Sequence, residues 1–313
     1  MPTHIDILCG DYRRAVACNT SAIRADARFA RRQGGLNFYS LYRAHNFHFR
    51  IYAAMFAGQS GVALETADML EEALPEALLR VESPPMADWL EGFHSMRAHV
   101  LVRFGRWDDI IERLVVPADQ VLYCTTAATA HYAKAVAYAN TGRPDEAERH
   151  RRLFGEAREK VPASRTLFNN TCRDILAIAA AMLDGEVEYR RGNVDEGLRH
   201  LRRAVELDDS LPYDEPWGWM QPTRHAYGAL LLEQGRAEDA LAVYAADLGL
   251  DDTLPRPQQH RNNVWALHGL HECLLRLGRE SEARMVRPQL QLALAAADVP
   301  IKASCFCRRH SHL

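Results

Sequence analysis

The chain carries little of what would tie it to a membrane, a nucleic acid or a common cofactor. No apolar run in its 313 residues approaches the roughly 18–20 needed to span a bilayer. The opening stretch, MPTHIDILCGDYRR, lacks a basic start, a long apolar segment and a small-residue cleavage site, so it does not read as a secretory signal. Net charge is −3 and the sequence pI about 6.5. The basic pairs Arg13–Arg14 and Arg202–Arg203 sit among acidic residues, as on a solvated helix face, and leave no phosphate footprint. Seven scattered cysteines, an odd number, do not make a disulfide framework. A soluble, cytoplasmic chain with reduced thiols, binding neither nucleic acid nor membrane, is the expectation. Also missing are a Walker loop, a dinucleotide-binding GxGxxG, a G-x-S-x-G elbow and a compact HExxH. Cys9, Cys18, Cys124, Cys172 and Cys273 lie in helical patterns and read as packed thiols.

What is present is a repeat. Seven glycines, Gly10, Gly58, Gly105, Gly142, Gly192, Gly235 and Gly278, each close one helical pattern. In five units an alanine follows five positions later: Ala15, Ala63, Ala147, Ala240 and Ala283. A glycine suits the left-handed cap that ends a helix. Each unit therefore reads as helix, glycine, acidic turn, helix. The clearest cases place helices over 174–191 and 194–207, over 222–234 and 236–248, and over 263–277 and 279–296. Small residues recur seven before the glycine, at Thr3, Ala98, Ala135, Gly185 and Gly228, where they let the two helices of a hairpin approach closely.

The stretches HYAKAVAYANTGRPDEAERH, HAYGALLLEQGRAEDALAVY and LHGLHECLLRLGRESEARMV resemble the tetratricopeptide repeat family, and the resemblance extends over nearly the whole chain. It implies an all-α, right-handed superhelical solenoid of about seven helical hairpins over residues 1–298, followed by a tail over 299–313. The glycines are 48, 47, 37, 50, 43 and 43 residues apart, against a family period of about 34, so helices or linkers are longer here. Ile110 and Gly197 stand where the family prefers alanine. The first helix is about half length, and MPTHIDILCGDYRRAV resembles the middle of longer repeat proteins. Either the chain is a short member or its start lies upstream. A short first helix would leave an apolar edge that favours a homodimer.

By the same resemblance, the first helices of successive units line a concave groove. Residues thirteen, ten and six before each glycine share one helix face. Those nineteen positions carry six histidines, where random placement of fourteen in the chain gives about one. One set is His4, His45, His48 and His99; the other is His225, His268 and Glu272. Tyr52, Ser95, Tyr132, Met182, Glu186 and Trp265 line the same groove. Imidazoles with a carboxylate suit Cu, Zn or Fe, and helices packed about 8–10 Å apart could bring neighbouring rings together. Two readings stand open. The first is an interaction module that binds a peptide, a protein partner or a small ligand on a His- and aromatic-lined groove. The second is a metal-dependent enzyme, possible in a specialised biosynthetic pathway, with Glu186 or a tyrosine as acid/base.

His94, His131, His150, His200 and His271 read as wall, packing or surface residues. The run Asp214-Glu215-Pro216-Trp217-Gly218-Trp219 either caps a ligand or staples a long linker onto the helices. In the tail, Cys305, Cys307, His310 and His312 have soft metal-ligand chemistry, at a spacing too tight for a usual zinc finger. A disulfide across one residue is expected to be strained.

Overall fold

The seven glycines sit where the backbone turns left-handed. All have φ between 60° and 92°, a region closed to most side chains, and each separates two paired helices. In this computed structural model, which describes residues 2–309, the pairs are α1 (Pro2–Cys9) with α2 (Tyr12–Gln33) and α3 (Ser40–Phe56) with α4 (Ser60–Ala73). Two short helices follow, α5 (Glu76–Leu79) and α6 (Met86–Leu90), then a 3₁₀ turn at Glu91–Ser95. Next come α7 (Met96–Arg103) with α8 (Trp107–Glu112) and α9 (Cys124–Asn140) with α10 (Pro144–Glu159). The remaining pairs are α11 (Cys172–Arg190) with α12 (Val194–Asp209), α13 (Thr223–Glu233) with α14 (Ala237–Leu248), and α15 (Val264–Arg276) with α16 (Glu280–Leu294). Among the described residues the secondary structure is helical apart from one short hairpin pairing Thr166–Leu167 with Asn170–Thr171. No helix among the described residues is long and apolar enough to cross a membrane.

Local chemistry explains the second helices. Helices α10, α12, α14 and α16 carry acidic residues in their first turn, and Pro144 opens α10. Both choices suit a helix N-terminus, where free N–H groups and the dipole favour negative charge and proline loses nothing. The five repeat alanines are buried. The small residues seven before the glycine act as expected. A Cβ on Gly185 would come within 2.6 Å of Leu201 Cγ, and one on Gly228 within 2.6 Å of the Tyr244 ring. The expected helix spans agree with the observed ones to within about two residues at most ends, and α5, α6 and the hairpin over 166–171 are additions inside linkers.

The chain also closes on itself. Tyr12 Oη donates to the Arg261 carbonyl, and Arg256 Nη2 donates to the Leu8 carbonyl at 2.5 Å. Trp265 Nε1 donates to the Met55 carbonyl at 2.7 Å. Asp298 accepts from the backbone N–H of Ser60 and Gly61 at 2.6 and 2.8 Å, so it caps α4 from the far end of the sequence. One edge of the short first helix is thus met by the linker over 256–262 of the same chain, while Ile5 on that helix stays exposed. Fifteen of the nineteen groove positions are buried, leaving His4, His45, His268 and Glu272 partly exposed. The positions expected to line a groove form an interior.

Candidate functional site

Three layers of side chains fill that interior. At the mouth, His4 Nδ1 contacts a Glu215 carboxylate oxygen, and its ring stacks on His45 with centroids 5.4 Å apart. Both rings lean on Phe49. Glu215 comes from the acidic-aromatic run, which folds inward. Burial, and then the His4 charge, lowers His45 to about 4.

One helical turn deeper lies a mostly apolar centre. Trp219 and Met220, from the linker between α12 and α13, are fully buried. The Trp219 ring meets His99 edge-on at 5.0 Å and Tyr132 at 5.6 Å. His48 Nε2 stands 2.8 Å from Met220 Sδ, and its ring meets Phe93 edge-on. Burial pushes His48 down to about 3, with smaller effects from His45 and His99, and burial alone pushes His99 to about 4. These imidazoles are neutral. Four buried polar atoms here have no hydrogen-bond partner: His48 Nδ1, His99 Nδ1, Ser95 Oγ and Trp219 Nε1. An unpartnered buried polar group costs roughly 1–3 kcal/mol, and four of them lie around this one centre. Trp217 instead ties its linker down, donating through Nε1 to Asp208 at 3.0 Å.

The third layer is a line of charge. Arg103 Nη1 donates to His225 Nδ1 at 3.0 Å, and His225 Nε2 donates to Asp247 at 3.0 Å. That network fixes the proton of a neutral imidazole on Nε2. Asp247 also accepts from His260 Nδ1 at 2.8 Å and Asn263 Nδ2 at 3.0 Å. Burial raises the Asp247 carboxyl, but His225 and His260 outweigh it and hold the group below the ordinary carboxylate range. Burial lowers Arg103 to about 9 and His225 to about 4, so near neutral pH a guanidinium and a carboxylate sandwich an uncharged ring. The Arg103 guanidinium also stacks 3.8 Å above Trp265.

Against this layer lies the tail. Arg103 Nη2 donates to the Ser304 carbonyl, Ser304 Oγ donates to the His225 carbonyl at 2.7 Å, and Tyr244 Oη meets Ser304 Oγ at 2.5 Å. Phe306 packs on Trp265 and against Gly105, where a Cβ would clash with its ring. Arg190 donates to the Cys307 carbonyl, Arg308 forms two hydrogen bonds to Glu272 at 2.7 and 2.8 Å, and the Arg309 N–H donates to Glu233 at 2.8 Å. Cys305 and Cys307 are joined as a disulfide, whereas the sequence pointed to reduced thiols throughout and to strain in such a bridge. His310 and His312 lie outside the described residues.

The sequence-chosen residues therefore separate. His4 and His45 meet at the mouth, and His48 and His99 flank the Trp219–Met220 centre. His225 belongs to the Arg103–Asp247 line. Glu272 is held by Arg308 and Arg276, and near His268 it forms no common ligand set with His225. Among the described residues no three His, Cys, Asp or Glu side chains converge to hold a metal ion. Tyr52 is buried beside Phe56, Met182 is buried in the core, and Glu186 accepts from Asn140 at 3.0 Å, its carboxyl raised by burial to about 7. His131 faces His150 at 3.0 Å, His94 contacts the Leu74 carbonyl and His200 pairs with Glu196, as wall and surface histidines do.

Repeat periodicity could not find Arg103, Asp247, His260 or Ser304. They lie off the groove face, on a second helix or in the irregular segments, and only their burial singles them out. Met220 and Trp219 had one signal, their place in or beside the acidic-aromatic run. The chain matches no family model and no curated protein sequence, so its residues alone carry the functional reading.

Proposed function

We propose that the chain is a tetratricopeptide-like interaction module that takes an extended peptide across the inner faces of α7, α11, α13 and α15, with its own segment over 301–309 as the occupant in the absence of a partner. The observation that carries this reading is how the segment is seated. It is held through backbone carbonyls by Arg103 and Arg190 and through one aromatic side chain, Phe306, in a slot walled by Gly105 and Trp265. A two-pronged Arg308–Glu272 pair completes the seat. Backbone contacts supply affinity, while the aromatic slot and the acidic wall supply specificity, the division of labour of peptide-binding grooves. The glycine-closed hairpins support the family reading. A partner would present an aromatic residue followed two positions later by an arginine.

The test uses a fluorescent peptide with the sequence of residues 301–309. A covalently attached occupant competes at an effective concentration on the order of millimolar, so the wild-type chain binds the peptide weakly. The full-length variant Phe306→Ala/Arg308→Ala, with its own segment loosened, binds it at least tenfold more tightly, and adding Glu272→Lys removes the gain. Equal binding by wild type and loosened variant, or no saturable binding by either, would refute the reading.

A further inference from the structure

We infer that the outer face of α2, with the loop over 34–39 that follows it, docks on the surface of an anionic lipid bilayer. Helix α2 buries one face, through Tyr12, Ala15, Asn19, Ile23 and Asp26. The opposite face carries Arg13, Arg24, Arg28, Arg31 and Arg32, all exposed and spaced to share one side of the helix. From first to last the stripe runs roughly 28 Å, at 1.5 Å per residue. Asp26 is the one acidic residue in the helix. It is turned away from the stripe and accepts from Tyr39 Oη at 2.7 Å and Asn46 Nδ2 at 2.8 Å. None of the five arginines forms an ion pair or a side-chain hydrogen bond among the described residues. Surface arginines elsewhere are matched: Arg143, Arg199, Arg203 and Arg279 each pair with a glutamate three residues away. The face of α2 is therefore a strip of uncompensated positive charge.

The strip ends in an apolar loop. Leu36 and Phe38 are 59% and 50% exposed. Phe38 meets Tyr42 and Trp89 edge-on at 6.1 Å, and Tyr39 links Tyr42 to Phe29 at 5.9 and 4.7 Å. Phe29 and Arg32 are three apart and so are neighbours on the helix surface, which joins the rings to the charges. Arg43 lies beside Gly35 at the base of the loop, and its Nε has no hydrogen-bond partner. Guanidinium groups match phosphate and carboxylate oxygens, and membrane-surface binding adds such attraction to the burial of apolar side chains at the headgroup level. Tyrosine and tryptophan suit that level. A single-stranded nucleic acid would instead need open ring faces on which bases stack. Here the rings pack on one another, and the tip residue Leu36 has no ring. The expectation that the chain avoids membranes rested on net charge and on the length of apolar runs, and neither quantity registers a local face. The face shares no residue with the seat of the segment over 301–309, so the inference stands apart from the peptide reading.

Full-length protein is floated with unilamellar vesicles of phosphatidylcholine and phosphatidylserine in a three-to-one ratio, and with vesicles of phosphatidylcholine alone. It rises with the first and not with the second, and added salt releases it because the charges are exposed. Arg28→Gln/Arg31→Gln/Arg32→Gln melts as wild type and loses vesicle affinity about a hundredfold, at about 1 kcal/mol per arginine near an anionic surface. Leu36→Ser/Phe38→Ser keeps every charge and loses affinity at least tenfold. A fluorescent oligodeoxythymidylate is not retained at the salt concentration where the vesicles are held. Equal flotation with the neutral vesicles, no flotation with either, affinity unchanged in the arginine variant or in the loop variant, or capture of the oligonucleotide in place of the vesicles would each overturn the assignment.

Discussion

Lowering the pH from 7 to 5 sets two groups of buried side chains against each other. His48, His99 and His225 are held near 3, 4 and 4, against an ordinary histidine value of 6.5. Their folded forms stay neutral while the unfolded chain takes up protons below about 6.5. Stability is therefore full above that pH and drains away as the pH falls toward the folded values. By linkage each of the three costs about 2 kcal/mol between pH 7 and pH 5, about 5–6 together. His45, at the partly solvated mouth, adds less. Glu186 and Asp208 work the other way. Burial raises them to about 7 and about 6, so the folded chain binds their protons first and gains stability as the pH falls. Over the same interval they return about 2 and about 1 kcal/mol.

Relative to the wild type, variants of the two groups should move in opposite directions. His99→Gln removes one histidine's share, making the loss between pH 7 and pH 5 about 2 kcal/mol smaller than in the wild type. Glu186→Gln removes a compensating carboxyl, making that loss about 2 kcal/mol larger than in the wild type. Urea unfolding at constant ionic strength, at half-unit steps of pH, reads all three curves. If both variants parallel the wild type, the buried neutral imidazoles and the raised carboxyl are not what sets the acid sensitivity.

Other outcomes follow from packing. Trp219→Ala removes the ring against which His99 and Tyr132 pack and should cost about 3–5 kcal/mol in denaturant unfolding; a loss below 1 kcal/mol would mean that the linker is not anchored through this side chain. Gly185→Ala places a methyl 2.6 Å from Leu201 Cγ and 3.2 Å from the Gly197 carbonyl, an overpacking expected to cost about 1–3 kcal/mol. Gly155→Ala, inside α10 with nothing within 4 Å of the new methyl, should instead stabilise by about 1 kcal/mol through helix propensity. Thermal melts of the pair should shift in opposite directions, and a shared sign would contradict the hairpin packing.

Much of the fold was legible because it is local. A glycine at positive φ, acidic residues in the next first turn and a small residue seven positions back all act within one hairpin. Reading them needs no knowledge of distant residues, and helix ends came out close. The site was legible in part. The helical period said which residues of each first helix share a face, the resemblance suggested which face turns inward, and fifteen of the nineteen residues so chosen are buried. It said nothing about what they would meet. His48 and His225 carried the same label in the sequence, yet one faces a thioether in an apolar centre and the other an arginine and an aspartate.

Sequence alone therefore determined the helical units, their turns and which residues share a helix face, because backbone conformation and side-chain period are short-range properties. Only the tertiary structure decided that the expected groove positions are closed over and filled, that residues over 301–309 lie against them, and that Met220 rather than His4 or His45 stands beside His48. Those pairings join residues about 80 to 250 positions apart, where loop closure and mutual burial choose the partners and no periodic pattern records the choice.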